Sequence, residues 1–428
     1  MLKIYTPQQA SATILRRAPL NQQFPRFGGQ PSPPEVVAQI LASVRDEGDA
    51  ALKRWTTLLD RVTLDDFRVP AERIQNAPRE IAPELLQALE LAAQRIRAFH
   101  QKQPLPGWQT RELGGVLGQR VSPIARVGVY VPGGRAPLPS SLLMSAIPAQ
   151  VAGVPEIVVC TPPNPPPVIL AAARICGLQD IFQLGGAQAI AALAFGTASI
   201  PKVDKIVGAG NLYVTLAKQQ VFGLVGLDGL AGPTETMIIA DHTANPRWIA
   251  ADLMAQAEHD VLASAILLTP SRELAAAVQA EVARQIEQLP TADVVARALR
   301  DHGGIVLVPD LDTAAALAND YAAEHLCLSL QDPDALLPQL KNAGGIFIGE
   351  RSFEVLGDYL AGPSHVMPTA GTARFASPLN VLDFVKITSI VRLDNETSRA
   401  LSPPAARLAR AESLDAHARA AELRLNRT

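Results

Sequence analysis

Gln256 and His259 stand three residues apart in "LMAQAEHD" (253–260), so on a helix both side chains leave the same face. An imidazole nitrogen and an amide oxygen both suit a borderline cation such as zinc. The competing reading is two solvated residues at the end of an apolar helix. Scarcity argues against it: the chain has seven histidines, and three others also fall in polar settings. These are His325 in "AAEHL", His365 in "GDYLAGPSH" and His417 in "SLDAHARA".

Glu324 and His325 fall where a helix meets the strand "LCLSL". A histidine with an ordinary pKa of about 6.5 can accept a proton near neutrality, and a carboxylate beside it can activate water. Equally, the pair could be a helix C-terminal imidazolium and a solvated acid. Asp358 and His365 belong to "GDYLAGPSHVMPTAGTARFASPL" (357–379), rich in Gly, Pro, Ser and Thr. Stretches this long without periodicity are usually functional loops, although Asp358 could be a turn or cap residue. Glu412 and His417 are five apart on a terminal helix, on adjoining faces, and physics alone reads them as solvated.

Two glycine-bearing turns follow strands. "GAGNLY" (208–213) opens a helix as a dinucleotide fingerprint does, but Tyr213 occupies the third glycine position and Asn211 could be an N-cap. In "YVPGGRAPLPSS" (130–141) the Gly133-Gly134 pair would let backbone N–H groups approach an anion, with a tight turn as the alternative.

These groups need a frame. Residues 34–59 and 82–101 carry helical spacing. Short β-rich runs then recur at 127–131, 156–160, 180–184, 204–208 and 236–240, with helical segments at 139–153, 167–177, 188–196 and 211–222. A second series follows at 264–269, 304–308, 326–330 and 345–349. Strands alternating with helices at this spacing predict two tandem doubly wound, incomplete Rossmann-like parallel sheets, an α/β fold. Such sheets bind ligands beyond the carboxyl ends of their strands. After Pro378 a strand-like "VKITSIVRL" precedes an amphipathic helix from about Pro403, a tail too short for its own core.

Composition excludes several classes. The net charge of -3 gives no electrostatic reason to expect nucleic acid or an anionic membrane. No uncharged apolar run is long enough to span a bilayer, and "MLKIYTPQQASATILRR" lacks a signal core. Three scattered cysteines without CxxC spacing speak against a disulfide framework and for a reducing compartment. The expectation is a soluble cytoplasmic protein. The proline clusters "PPNPPP" (162–167) and "QPSPPE" (30–35) read as rigid loops.

Taken in order, "VGVYVPGGRAPLPSSLLMSAIPAQVAGV", "GGAQAIAALAFGT", "KIVGAGNLYVTLAK", "AGPTE", "QAEHD", "AEHL", "GDYLAGPSHVMPTAGTARFASPL" and "AESLDAH" resemble the histidinol dehydrogenase family through most of the chain. The resemblance implies oxidation of L-histidinol through L-histidinal to L-histidine in two NAD-dependent steps, the last of histidine biosynthesis. It implies a homodimer with sites completed across the interface, and one zinc ion per subunit held by Gln256, His259, Asp358 and His417. Glu324 and His325 match the acid/base pair. Thr234, Gln256, His259, His325, Asp358, Glu412 and His417 match substrate-holding positions, and Tyr130, Gln188 and Asn211 match NAD contacts.

It also implies a division of the chain. Residues 1–25 form an N-terminal extension, and 26–126 with 234–378 a domain carrying metal and catalytic residues. Residues 127–233 form an NAD-binding domain, and 379–428 a tail packing on a partner subunit. Departures from the family pattern are Thr234 for serine, Ser364 for asparagine, Leu138 for tyrosine and Ser413 for glycine. The alternative is a related zinc- and NAD-dependent dehydrogenase of another small polar alcohol. A zinc hydrolase without a nicotinamide site and a non-catalytic binding protein are more distant readings.

Overall fold

Every residue of β9 (Glu235–Ala240), β10 (Ser264–Thr269) and β12 (His325–Ser329) is buried. That is why these strands read as continuous apolar runs and not as alternating ones: helices cover both faces of a parallel sheet. In this computed structural model, which describes residues 2–17, 31–133 and 137–425, they form the middle of a six-stranded sheet. Its remaining strands are β1 (Ile4–Tyr5), β11 (Gly304–Leu307) and β13 (Gly345–Ile348), and the order is β1-β11-β10-β9-β12-β13, all parallel. The second glycine of the Gly133-Gly134 pair, and residues 18–25 of the expected N-terminal extension, lie outside the described residues.

A five-stranded parallel sheet runs β6-β5-β4-β7-β8, from β4 (Arg126–Tyr130), β5 (Glu156–Thr161), β6 (Ile181–Gln183), β7 (Lys205–Val207) and β8 (Gly226–Leu227). In each sheet the chain winds outward from a central strand and then resumes on its other side. The reversal falls between β9 and β12 in one sheet and between β4 and β7 in the other. The two parallel sheets with intervening helices are the fold the periodicity predicts.

Helices Pro33–Glu47 and Asp49–Leu59 bury Val37, Ile40, Leu41, Val44, Ala51 and Leu52 in one core with Ala187, Ile190, Leu193 and Val214. They therefore pack on the helices of the five-stranded sheet, although the sequence reading groups residues 26–126 with 234–378. Amphipathic spacing shows that a helix has an apolar face, not which sheet receives it. Two further cores line the opposite faces of the six-stranded sheet. Among the described residues no helix is long and apolar enough to cross a membrane.

Both parallel sheets lie in one compact unit, Met1–Gln103 with Ala125–Asp383. The second unit, Pro104–Ile124 with Phe384–Thr428, has an antiparallel sheet β14-β3-β2. It joins β2 (Trp108–Thr110) and β3 (Val116–Pro123) to β14 (Val385–Arg392), followed by helices Asn395–Ala411 and Asp415–Glu422. The strand after Pro378 is thus real, but the helix expected from about Pro403 starts earlier. Asp394 caps it by accepting from the Thr397 N–H at 2.8 Å, and the helix runs through Pro403 and Pro404.

Candidate active site

Thr234 immediately precedes β9, and Glu324 immediately precedes β12, whose first residue is His325. Register places His325 beside Thr236 on the neighbouring strand. Helix Pro246–Ala257 leaves the carboxyl end of β9 and runs back, returning Gln256 to the amino end of the sheet. The cluster therefore sits at the amino ends of β9 and β12. This corrects the expectation of a site at the carboxyl ends: strand polarity alone does not say which end of a switch point receives the polar side chains.

The Thr234 hydroxyl lies 2.6 Å from Glu324 Oε2 and 3.0 Å from Gln256 Oε1, and the Glu235 N–H donates to Glu324 Oε2 at 3.1 Å. Gln256 Nε2 lies 3.3 Å from Asp358 Oδ2. His325 stands between two acids, Nδ1 at 3.6 Å from Glu324 Oε2 and Nε2 at 3.5 Å from Asp358 Oδ1. These are ion-pair distances, longer than hydrogen bonds. Asp358 is not in a loop, as its Gly-rich surroundings predict, but on the short helix Glu354–Tyr359. His365 does lie in the irregular stretch beyond, where its Nδ1–H donates to the Asp358 carbonyl at 2.8 Å. That fixes the tautomer and leaves Nε2 to accept from the Ser141 hydroxyl at 3.3 Å.

Burial pushes the Glu324 carboxyl up to about 7, against the opposing pull of His325 and its two hydrogen-bond donors. Burial by itself would strip the proton from His325, but the Glu324, Asp358 and Glu354 carboxylates outweigh it and raise the imidazole to about 10. Burial also disfavours charge on Asp358, yet His325, His365 and His259 together hold it below the ordinary carboxylate range. The pair thus offers a carboxylate that exchanges its proton near neutrality beside an imidazolium that holds its own.

Among the described residues no three His, Cys, Asp or Glu side chains are grouped as a metal site. Gln256 supplies a different kind of observation. The Thr234 hydroxyl has one proton, so when it serves an ionised Glu324 it cannot also serve the Gln256 oxygen. Turning the buried amide end for end gives Thr234 a donor and sets an amide oxygen against the Asp358 carboxylate. Two such oxygens repel unless a cation satisfies both, so the donors fit a metal ion. His259 is not on the helix with Gln256, as its spacing predicts, but in the turn just beyond the C-cap Glu258, and is exposed. Glu412 ends helix Asn395–Ala411 as its C-cap and His417 lies on Asp415–Glu422, both exposed and both in the second unit.

The other polar group gathers at the carboxyl ends of β4 and β7. The Tyr130 hydroxyl accepts from the Gly186 N–H at 3.1 Å, and Gln188 donates to Asp60 Oδ2 at 3.1 Å. The buried Gln188 Oε1 has no partner among the described residues. Asn211 is the N-cap its position allows, accepting from the Tyr213 and Val214 N–H groups at 3.0 and 3.2 Å. Gly208 adopts φ +107°, and a Cβ there would fall 2.2 Å from the Tyr130 carbonyl oxygen, so this turn requires glycine.

Sequence reasoning missed three charged residues. Glu235 opens an otherwise apolar strand, and Arg17 pairs with it. Glu354 is fully buried, accepts from the Thr236 hydroxyl and lies 3.0 Å from Cys327 Sγ. The available signal for Glu354 was its i, i+4 spacing from Asp358, which puts both carboxylates on one helical face.

In fold alone the chain resembles an acetylating aldehyde dehydrogenase from Geobacillus thermoglucosidasius, with TM-score 0.51 at 14% identity, covering 84% of this chain and 99% of that one. The class these features define is an α/β protein of two doubly wound parallel sheets with a buried acid–base cluster. The histidinol dehydrogenase family model matches residues 30–425. A histidinol dehydrogenase from Deinococcus radiodurans is 54% identical over 407 residues, 93% of this chain and 92% of the relative. One from Thermus thermophilus is 51% identical over 421 residues, 98% of this chain and 100% of the relative. A crystal structure of histidinol dehydrogenase from Elizabethkingia anophelis matches with TM-score 0.92 at 35% identity, covering 99% of this chain and 98% of that one. The chain belongs to the histidinol dehydrogenase family.

Proposed function

We propose that this chain oxidises L-histidinol to L-histidine through L-histidinal, passing two hydrides to NAD in the last steps of histidine biosynthesis. The observation that supports this reading best is the buried Glu324–His325 pair, set against Asp358, Gln256 and Thr234 in a chain of this family.

The residues divide the work by chemistry. His325 takes the alcohol proton in the first oxidation, once the charge on Asp358 is engaged and its own proton is released. Glu324, poised near neutrality, then accepts a proton from the water that hydrates the aldehyde. Thr234 fixes the Glu324 carboxylate, and its added methyl, where serine is usual, narrows the same corner. Glu412 recognises the substrate ammonium through a charge-assisted contact. Gln256, His259 and Asp358, joined by His417, are the residues that would hold one zinc ion per subunit, a redox-inert cation that would orient and polarise the substrate.

Residues 127–233 are the proposed NAD-binding half, with Tyr130, Gln188 and Asn211 beside the dinucleotide, and 234–378 the half carrying metal and catalytic residues. The protein is proposed to act in the cytoplasm as a homodimer, with the tail of one copy completing the site of the other. Three free, buried cysteines suit a reducing compartment.

Zinc-loaded protein given NAD and a panel of small polar alcohols tests the substrate. NADH should form with histidinol; NADH formed with another alcohol and not with histidinol overturns the assignment.

A further inference from the structure

The N-terminal segment reaches the acid–base cluster through one side chain. Strand β1 joins the sheet edge by pairing Ile4 with Ile305 and Tyr5 with Val306. Beyond helix Pro7–Ala12 the chain brings Arg17 to the amino end of β9. There the Arg17 Nε donates to Glu235 Oε1 at 2.8 Å and a terminal nitrogen to Oε2 at 2.6 Å, a planar two-point clamp. The other terminal nitrogen donates to the Tyr321 carbonyl, and the guanidinium carbon lies 3.8 Å from the centre of the Tyr321 ring.

Both anchors adjoin the groups that do the chemistry. Glu235 follows Thr234, and its own N–H holds Glu324 Oε2. Tyr321 ends helix Leu311–Tyr321, and the chain then passes through Ala322, in the left-handed region at φ +51°, to reach Glu324. An alanine in that conformation is strained and must be held by its surroundings. The Tyr321 hydroxyl is itself tied to Ser264 on β10 at 2.7 Å. One guanidinium thus joins the start of β9 to the crossover that presents Glu324 and His325.

We propose that Arg17 is a positioning residue for the reaction: its fork between Glu235 and the Tyr321 carbonyl fixes where the Glu324 carboxylate stands relative to Thr234 and His325. Histidinol as the probe rests on the function proposed above, whereas the backbone anchoring does not. Lysine cannot replace the fork, because an ammonium is a point charge without planar two-point geometry.

The test uses the full-length, zinc-loaded protein, as wild type, Arg17→Lys, Arg17→Met and the double variant Arg17→Met/Glu235→Gln. The double variant removes both charges of the pair together, so the buried Glu235 carboxylate is not left unpaired to unfold the protein. A displacement of about 1 Å at a reacting group can cost roughly 100-fold in rate. Accordingly, Arg17→Met and the double variant should lose about 10- to 100-fold in kcat with KM changed by less than about threefold, and Arg17→Lys should recover part of the loss. Amide exchange over residues 322–326 should quicken in both methionine variants. A double variant with wild-type kcat overturns the proposal, as does unchanged exchange over 322–326. If wild type itself ignores histidinol, the substrate reading fails, and the exchange comparison still decides the role of Arg17.

Discussion

The Nε2 of His325 lies 3.5 Å from Asp358 Oδ1, so this carboxylate, together with Glu324 and Glu354, raises the proton affinity of the imidazole. In metal-free protein, Asp358→Asn should lower the His325 pKa from about 10 toward the ordinary histidine value, read by NMR titration of the imidazole. The sign of the linked stability follows. A histidine raised on folding contributes stability that is fully present below about 6.5 and is lost as pH rises through about 10. The asparagine variant should therefore fall short of wild type most below about 6.5, and the difference should close as pH rises toward 10. An unchanged titration would show that other groups set the proton affinity.

Glu324→Gln removes the group held near neutrality while leaving an oxygen for the Thr234 hydroxyl. Loss of a general base typically costs about 10²- to 10⁴-fold in rate. The loss should fall more heavily on oxidation of histidinal, which needs activated water, than on oxidation of histidinol. In wild type the aldehyde step should rise with pH through about 7, as the carboxylate gives up its proton. Single-turnover rates with each substrate separate the two steps.

Behind the site, burial and then the like charges of Glu354 and Glu350 push Asp252 up to about 7. A buried acid with a raised pKa stabilises the fold only while it keeps its proton. Its ionisation cost is absent below the ordinary carboxylate value of 3.8 and complete above about 7. Asp252→Asn should accordingly raise Tm at pH 8, with a gain that shrinks as pH falls toward 4. A gain independent of pH would mean that packing, not charge, limits stability there.

Lys218 and Asp228 form a buried ion pair at 2.5 Å. Lys218 also donates to the Gly208 carbonyl at 2.9 Å, and the Gly208 N–H donates to Asp228 Oδ2 at 2.7 Å. Removing one partner of such a pair costs about 3–5 kcal/mol, because the other charge is left buried. Lys218→Met should lose that much in denaturant unfolding, and adding Asp228→Asn should recover part of it. The Gly208 turn should loosen too, weakening NAD binding.

Much of this was legible in the sequence because burial on both faces of a parallel sheet leaves an unbroken apolar signature. "TMIIA", "SAILLT" and "LCLSL" could hardly be anything but interior strands. Spacing and scarcity singled out Gln256, which the fold brings within 3.3 Å of Asp358. The end of the sheet at which the polar groups meet was not, because it depends on where helix Pro246–Ala257 returns. Nor was the antiparallel sheet: β3 pairs along its whole length with β14, more than 250 residues away in the chain, and no local pattern announces that partner. Arg17 and Glu235 were missed for the same reason, being separated by 218 residues and joined only by the fold.

The most direct test of the central claim is the stoichiometry of zinc-loaded protein given limiting histidinol and excess NAD. Oxidation of an alcohol to an acid removes four electrons, so two NADH should form for each histidinol consumed, with histidine as the product and no free aldehyde. One NADH per histidinol with histidinal accumulating, or no NADH at all, would contradict the account.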